Sequence, residues 1–331
     1  MFDIVALGEL LIDFTENRVS PSGMKQFERN PGGAPCNMLT AATRLGRSTA
    51  FIGKVGDDMH GRFLKQVIES EGICTKGLVL DSDVFTTLAF VSLDTNGERE
   101  FSFARKPGAD ICLKSDEIPS ELLQSCKVFH FGSLSLTDDP VRTATFVALN
   151  LAKEAGAVIA YDPNYREKLW PDRATASLHM QSVLQYVDIM KVAEEELEIV
   201  TGEQSLENAC EFLHSKGVAC VAVTLGEKGA YVSLNRKGTG WSASVDFGKI
   251  IDKTGAGDAF WGAFISSFIE GGIPLAKLSV EDVIKYADRA NIVAALSISK
   301  RGGIPSMPFL EEINRVLNKR ESEDNYEAQR I

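Results

Sequence analysis

Gly255, Ala256, Gly257 and Asp258 stand immediately ahead of a run in which Phe260, Phe264 and Phe268 recur at every fourth residue. Such spacing marks a buried helical stripe and puts the small residues at the helix N-terminus. Unpaired backbone N–H groups and the positive end of the helix dipole favour an anion there. Glycine lets a phosphate come close to the backbone, and Asp258 would lie beside it, able to take a proton from an attacking hydroxyl. An acid in a first helical turn is also favoured by the dipole alone, so this residue by itself reads two ways. A second loop, Asn30-Pro31-Gly32-Gly33-Ala34-Pro35-Cys36-Asn37, leads into another helical pattern. Its paired glycines suit the approach of a small ligand, and Asn37 offers both acceptor and donors to a polyhydroxylated one. Equally, the loop is a tight turn with Asn37 as a helix cap. Asp13 ends an apolar first strand, where a carboxylate is costly unless it meets water, a cation or ligand hydroxyls.

These groups need a scaffold, and the pattern along the chain supplies one. Short apolar runs at Ile4–Leu7, Ala50–Lys54, Val128–Phe131, Val158–Tyr161, Ile189–Val192, Val218–Thr224 and Gly229–Leu234 alternate with helical patterns such as Asn37–Leu45, Gly61–Ser70, Asp139–Glu154 and Ser205–Ser215. Alternation of this kind predicts a doubly wound α/β fold, its largely parallel sheet covered on both faces. Two segments interrupt it. Residues 14–31 are polar around a Ser20-Pro21-Ser22-Gly23 turn, and Thr86–Arg105 reads as a hairpin about Asp94-Thr95-Asn96-Gly97, since Asn-Gly is a strong tight-turn signal. Phe101, Phe103 and Arg105 then share one face. An ordinary surface hairpin is one reading; a small β-lid over a site, formed from about 14–31 and 86–110, is the other, and Arg105 continuing an apolar face favours the lid. The chain reads as a single domain over 1–318, with a charged tail at 319–331 that is mobile or extends the last helix.

Composition narrows the functions. The chain has 331 residues, 44% of them hydrophobic, enough for a large core, and a formal charge of -11. That charge argues against general binding to nucleic acid or anionic membranes. The apolar run from Ile4 to Phe14 carries Glu9 and Asp13 and is too short to span a bilayer. It also lacks the features of a signal peptide, so a cytoplasmic location is expected. Six scattered cysteines without C-x-x-C read as reduced, mostly buried thiols. No Walker-type G-x-x-x-x-G-K-[ST] occurs, and no G-x-G-x-x-G follows the first strand, which leaves a dinucleotide site poorly supported.

Together the pieces resemble the ribokinase-like (PfkB) family of carbohydrate kinases, and within it the fructokinases. The resemblance runs from Gly8-Glu9 to about Pro308. Its early signature is Gly32-Gly33-Ala34-Pro35-Cys36-Asn37, continuing to Leu45-Gly46 and then Gly53-Lys54-Val55-Gly56-Asp57-Asp58 with Gly61. The late signature is Asp252-Lys253-Thr254-Gly255-Ala256-Gly257-Asp258, with Lys253 where the family often has threonine. The resemblance implies a three-layer α/β/α fold with a small β-sheet lid. It implies Asp13, Gly32, Gly33 and Asn37 on the sugar hydroxyls, Asp258 as general base, and the backbone of Gly255, Ala256 and Gly257 as the anion hole. On the nucleotide side, Lys191-Val192-Ala193-Glu194 is similar to an N-x-x-E element, Lys191 standing where asparagine is usual. Glu194 is implied to hold Mg²⁺ through waters; otherwise Glu194 to Glu196 are a solvated acidic helix start. Thr224, Gly226 and Gly229 correspond to the turn near the nucleotide, and Asn291 to the adenine wall. Asp252 and the Ser299–Gly303 loop correspond to a monovalent-cation site, which implies K⁺ activation.

Three stretches resemble the fructokinases in particular: Arg99 to Asp110, Val128 to Leu134, and Asp162-Pro163-Asn164-Tyr165-Arg166 with Leu169-Trp170-Pro171. They imply Arg105 on the sugar from the lid, with Asn164 and Arg166 near substrate or phosphates; a surface ion pair is the other reading of Arg166. The reading is therefore ATP-dependent phosphorylation of D-fructose at its 6-hydroxyl, with Mg²⁺ and a possible homodimer through the lid. A 2-keto-3-deoxygluconate kinase is the neighbouring alternative, because Arg105, Lys106 and Arg166 could serve an acidic sugar. A non-catalytic kinase homologue is the alternative of a different class, disfavoured by an intact anion hole and base.

Overall fold

The computed structural model describes residues 1–93, 99–246, 248 and 250–318; the turn at 94–97 and the tail 319–331 lie outside the described residues. The β-rich runs pair into two sheets. In chain order the strands are β1 (Phe2–Leu7), β2 (Leu11–Val19), β3 (Lys25–Gly32), β4 (Thr49–Gly56), β5 (Cys74–Asp81), β6 (Leu88–Leu93), β7 (Arg99–Ala104), β8 (Cys126–Gly132), β9 (Val158–Asp162), β10 (Ile189–Ala193), β11 (Cys220–Thr224), β12 (Ala230–Leu234) and β13 (Gly238–Ser242). The larger sheet has nine strands in the order β13-β12-β11-β10-β9-β8-β1-β4-β5. It is parallel from β5 to β11, with β12 and β13 added antiparallel at one edge.

Pleating sends alternate residues of each strand into opposite layers. On β1, Ile4 and Ala6 join one core while Val5 and Leu7 join the other. The first core is covered by α1 (Ala34–Arg44), α2 (Met59–Ser70), α8 (Ala256–Gly271) and α9 (Val280–Ser297). The second is covered by the short α3 (Ser120–Leu123), then α4 (Val141–Glu154), α5 (Arg173–Ser182), the short α6 (Leu197–Thr201) and α7 (Leu206–Ser215). The three-layer expectation is met. Burial of α8 goes beyond the phenylalanine stripe: Trp261 and Ile265 on its other sides are also fully buried, so this helix is enclosed all round. All six cysteines are free; burial pushes the Cys126 thiol up to about 11, and those of Cys210 and Cys220 up to about 12. Among the described residues, no helix is long and apolar enough to cross a membrane.

The two interrupting segments form the second sheet, four strands in the order β3-β2-β6-β7. One of its faces carries Leu11, Asp13, Thr15, Val91 and Phe103 toward a cavity. On the other, Phe14 stacks on Phe90 at 5.2 Å and meets His60 of α2 edge-on at 5.6 Å. Arg29 lies over the Phe63 ring of α2 at 3.9 Å. The segment after β7 returns to the main body, where Ala109 and Asp110 are buried.

Candidate active site

A cavity of about 1070 Å³ opens at the C-terminal ends of β9, β10 and β11, between the start of α8 and the small sheet. In a parallel sheet this end collects ligand sites, because the loops and helix N-termini gather there. Gly255 precedes α8 in a left-handed conformation (φ 78), which glycine adopts without strain. The first intrahelical bond runs from the Ala259 N–H to the Gly255 oxygen at 2.8 Å, so the N–H groups of Gly257 and Asp258 emerge from the helix mouth. The Ala256 N–H instead turns back to the Lys253 oxygen at 3.3 Å. Of the small-residue turn, then, Gly257 rather than Ala256 presents its N–H at the mouth.

Asp258 is buried on the first turn of α8. Both carboxylate oxygens accept side-chain amides: Asn37 Nδ2 donates to Oδ2 at 2.8 Å, and Asn164 Nδ2 donates to Oδ1 at 3.0 Å. Burial raises the pKa of Asp258, against the opposing pull of Asn37, Lys191, Arg166 and Asn164. Asn37 is not the cap of α1. The helix starts at Ala34 after Gly33, with Pro35 in the first turn, a position that suits proline. Asn37 therefore sits one turn in, facing Asp258, and its Oδ1 is buried without a hydrogen-bond partner. Asn164 takes a left-handed backbone (φ 46), a strain that asparagine tolerates better than most residues. Its N–H donates to Asp162 Oδ1 at 3.1 Å, which fixes the turn that aims the amide.

Around this pair lies an acidic wall. Asp13 lines the cavity, and burial pushes its carboxyl up to about 6. Gly32 lies behind it rather than in the wall; a Cβ there would come within 2.4 Å of Asp13 Oδ2. Gly33 does line the cavity, yet its close approach is to its own chain, since a Cβ would meet the Glu9 oxygen at 2.4 Å. Glu9, which the motif reading passed over, accepts the Ala34 N–H at the start of α1 at 2.8 Å. Burial lifts its carboxyl to about 7. Asn30 and Arg166 complete this end of the cavity.

Arg105 does not reach the cavity wall. Its guanidinium is buried against Asp110, with Nε 2.8 Å from Oδ2, and donates to Thr137 Oγ1 and the Leu134 oxygen at 3.0 and 2.9 Å. Thr87 Oγ1 donates to the other Asp110 oxygen. The two-residue alternation of β7 ends at Ala104, so the apolar face taken to carry Arg105 carries Phe103 instead. The side chain of Phe101 lies outside the described residues.

On the nucleotide side, Lys191, Thr224, Gly226, Gly229, Asn291 and Asp252 all line the cavity. Asn291 also clamps the β13 end, donating to Ser242 Oγ at 2.8 Å. Asp252 accepts from Thr254 Oγ1 at 2.7 Å and the Gly302 N–H at 3.1 Å, joining the late signature to the 299–303 loop. Glu194 is half-exposed, 3.6 Å from Lys228, beside the cavity rather than in its wall. Glu195 lines the cavity instead. Glu196 is buried and spends its oxygens on the N–H groups of Tyr165 and Ala193, at 2.6 and 2.9 Å. Among the described residues, no group of three or more His, Cys, Asp or Glu is placed to hold a metal. Of the carboxylates that motif reading missed, Asp162 ends β9, Glu9 follows β1, and Glu195 and Glu196 follow β10, so acids at or just past apolar strands were the available signal. Asp13, expected to end the first strand, lies instead within β2 of the small sheet, because the first strand breaks off at Gly8 and a new one begins at Leu11.

Comparison with known proteins agrees with this architecture. The model of the pfkB family carbohydrate kinases matches residues 1–310. Fructokinase-1 of Zea mays is 41% identical over 320 residues, 96% of this chain and 98% of that protein. The structure of a fructokinase with bound ATP from Xylella fastidiosa superposes with a TM-score of 0.87 at 29% identity, covering 96% of this chain and 99% of that one. A Vibrio cholerae O395 fructokinase, solved with fructose, ADP and calcium ion, gives 0.83 at 30% identity over 95% and 98%. With its family model matched over residues 1–310 and Asp258, the helix mouth and the Asp13 wall gathered in one cavity, this chain belongs to the pfkB family of carbohydrate kinases.

Proposed function

We propose that the protein transfers the γ-phosphate of ATP to the 6-hydroxyl of D-fructose. The observation that carries this reading is Asp258, buried and held by two amides at the mouth of a helix whose N–H groups face the same cavity. Asp258 takes the proton of the incoming hydroxyl as its oxygen bonds to the γ-phosphorus; the bond from that phosphorus to the β–γ bridging oxygen breaks, and ADP leaves. Developing charge on the phosphoryl group meets the N–H groups of Gly257 and Asp258, so positioning and electrostatics supply most of the catalysis. Asp13, Asn30 and Asn37 would hold the sugar hydroxyls; the unpartnered Asn37 Oδ1 is an acceptor waiting for one. The small sheet acts as a lid, since water must be kept from the γ-phosphate.

Fructose is favoured over an acidic sugar by charge. Glu9, Asp13 and Asp258 outnumber Arg166 at the sugar end, Arg105 is already neutralised by Asp110, and the lid wall of Val91 and Phe103 is apolar. Mg²⁺ would accompany ATP, with Glu195 as the carboxylate that reaches its waters, a donor set suited to an ion that keeps most of its hydration. Potassium would act where Asp252 ties the Gly302 loop. A second copy would cover the aromatic outer face of the small sheet, where Phe27 and Phe90 are 41% and 37% exposed. Turnover on fructose, ribose and 2-keto-3-deoxygluconate tests the reading: fructose is expected to give the highest kcat/KM, and strong activity on the acid sugar with none on fructose would overturn it.

A further inference from the structure

Lys191 stands where the family pattern has asparagine, and its surroundings are unusual for a lysine. It lies on β10, 4% exposed. Its Nζ donates to both oxygens of Asp162 on the neighbouring strand β9, at 3.1 and 3.0 Å. Burial works against its charge, but Asp162, Glu196 and Asp258 hold it protonated, with a pKa above the ordinary lysine value. A structural ion pair could end there. The ammonium, however, reaches the mouth of α8: a Cβ built on Gly257 would be only 3.0 Å from Nζ. It therefore sits against the backbone whose N–H groups face the cavity, and Lys191 itself lines that cavity.

We propose that Lys191 is a phosphate-binding catalytic cation, its ammonium meeting an oxygen of the phosphoryl group in transit beside the Gly257 N–H. An asparagine there could offer a hydrogen bond but no charge, whereas the transferring group spreads negative charge over its oxygens, and a fixed buried cation stabilises it strongly. The ammonium has three donors, so binding Asp162 does not exhaust it. Asp162 is then a positioning residue with two tasks. It aims Lys191 at the phosphate, and through Oδ1 it holds the Asn164 N–H, whose side chain holds the base. One buried pair thus holds the cation directly and the base through Asn164.

The inference rests on the phosphotransferase reading of the cavity, so its test reads nucleotide binding separately from sugar turnover. Lys191→Met combined with Asp162→Asn removes both buried charges together while keeping an acceptor oxygen for Asn164. Calorimetric titration with Mg²⁺ and β,γ-imido-ATP is expected to show at least a tenfold weaker affinity than wild type, while AMP binds within twofold. The kcat on the best sugar should fall on the order of 100-fold with the sugar KM changed less than threefold. Imido-ATP affinity and kcat both within twofold of wild type would overturn the proposal and leave Lys191 a structural partner of Asp162. If the double variant does not fold, Asp162→Asn alone decides. With its ammonium no longer aimed, this variant should bind imido-ATP at least threefold more weakly while AMP binds within twofold, and imido-ATP binding within twofold of wild type or tighter would overturn the proposal. Wild-type protein that binds imido-ATP but phosphorylates no sugar would sink the functional reading without touching the nucleotide comparison.

Discussion

Asp258 and Asp13 are both buried carboxylates, and their surroundings separate their roles. Asp258 receives two amide donors, which fix its orientation and stabilise its charge, as the proposed base requires. Asp258→Asn is expected to lower kcat about 1000-fold while the nucleotide affinity, measured by calorimetry, changes less than threefold. Because burial raises the Asp258 pKa, the acid limb of the kcat–pH profile should lie above the ordinary aspartate range, activity being lost as the base protonates. Asp13 instead costs stability. Its folded pKa of about 6 lies above the ordinary aspartate value of 3.8, so between these values the native state holds the proton more tightly than the unfolded chain. Wild-type stability therefore falls as pH rises from about 4 to 6 and stays lowered above that. Asp13→Asn should be more stable than wild type at pH 8, by up to about 3 kcal/mol, with the difference vanishing below pH 4. Denaturant midpoints at the two pH values measure it. An Asn variant less stable than wild type at pH 8 would mean that Asp13 has a charge-stabilising partner. The expected loss of sugar affinity in the same variant is the usual exchange of stability for a functional charge.

At the level of elements, the site depends on backbones that approach one another closely. Where β3 passes β2, Gly32 leaves room for the Asp13 carboxylate, and a methyl group would come within 2.4 Å of it. Gly32→Ala should raise the sugar KM at least tenfold and leave the nucleotide affinity within twofold; steady-state kinetics with each substrate varied shows which side is hit. Equal effects on sugar and nucleotide would indicate a general collapse of α1 rather than a displaced Asp13. At α8, Gly255 serves the same end differently: its left-handed φ turns the chain so that the helix mouth, not its flank, faces the cavity. Enclosure of α8 on all sides then fixes the direction of that mouth, because close-packed surroundings leave a helix no freedom to roll.

At the level of the whole molecule, the nine-stranded sheet carries the nucleotide-side groups, and the small sheet, anchored on α2 through Phe14, His60, Arg29 and Phe63, carries Asp13. Part of the proposed sugar wall thus stands on an element that projects from the main sheet, which suits a lid. Hydrogen exchange should slow in β2, β3, β6 and β7 when fructose and imido-ATP are bound together, with little change in β1, β8 or β10. Equal protection of both sheets would count against closure.

Much of this was legible in the residue order. The inner strands of the main sheet, the helix behind Asp258 and a sheet made from the two interrupting segments follow from period, turn chemistry and helix-end electrostatics, all properties of neighbours in sequence. The edge strands β5 and β13, with exposed and polar residues breaking their apolar pattern, were not read. Pairings between distant residues were not legible. Asn37 and Asp258 are 221 positions apart yet share a hydrogen bond. Arg105 looked like a ligand group until Asp110, turned back into the body, took its guanidinium. Which of Glu194 and Glu195 lines the cavity was not legible either, since they are neighbours of one type in an exposed turn after β10. What the sequence alone determined was the kinds of group available and the local shapes that hold them. Only the tertiary structure decided which acid is paired, which amide meets the base and which cation stands at the helix mouth, because burial and opposite charge act across space without regard to distance along the chain.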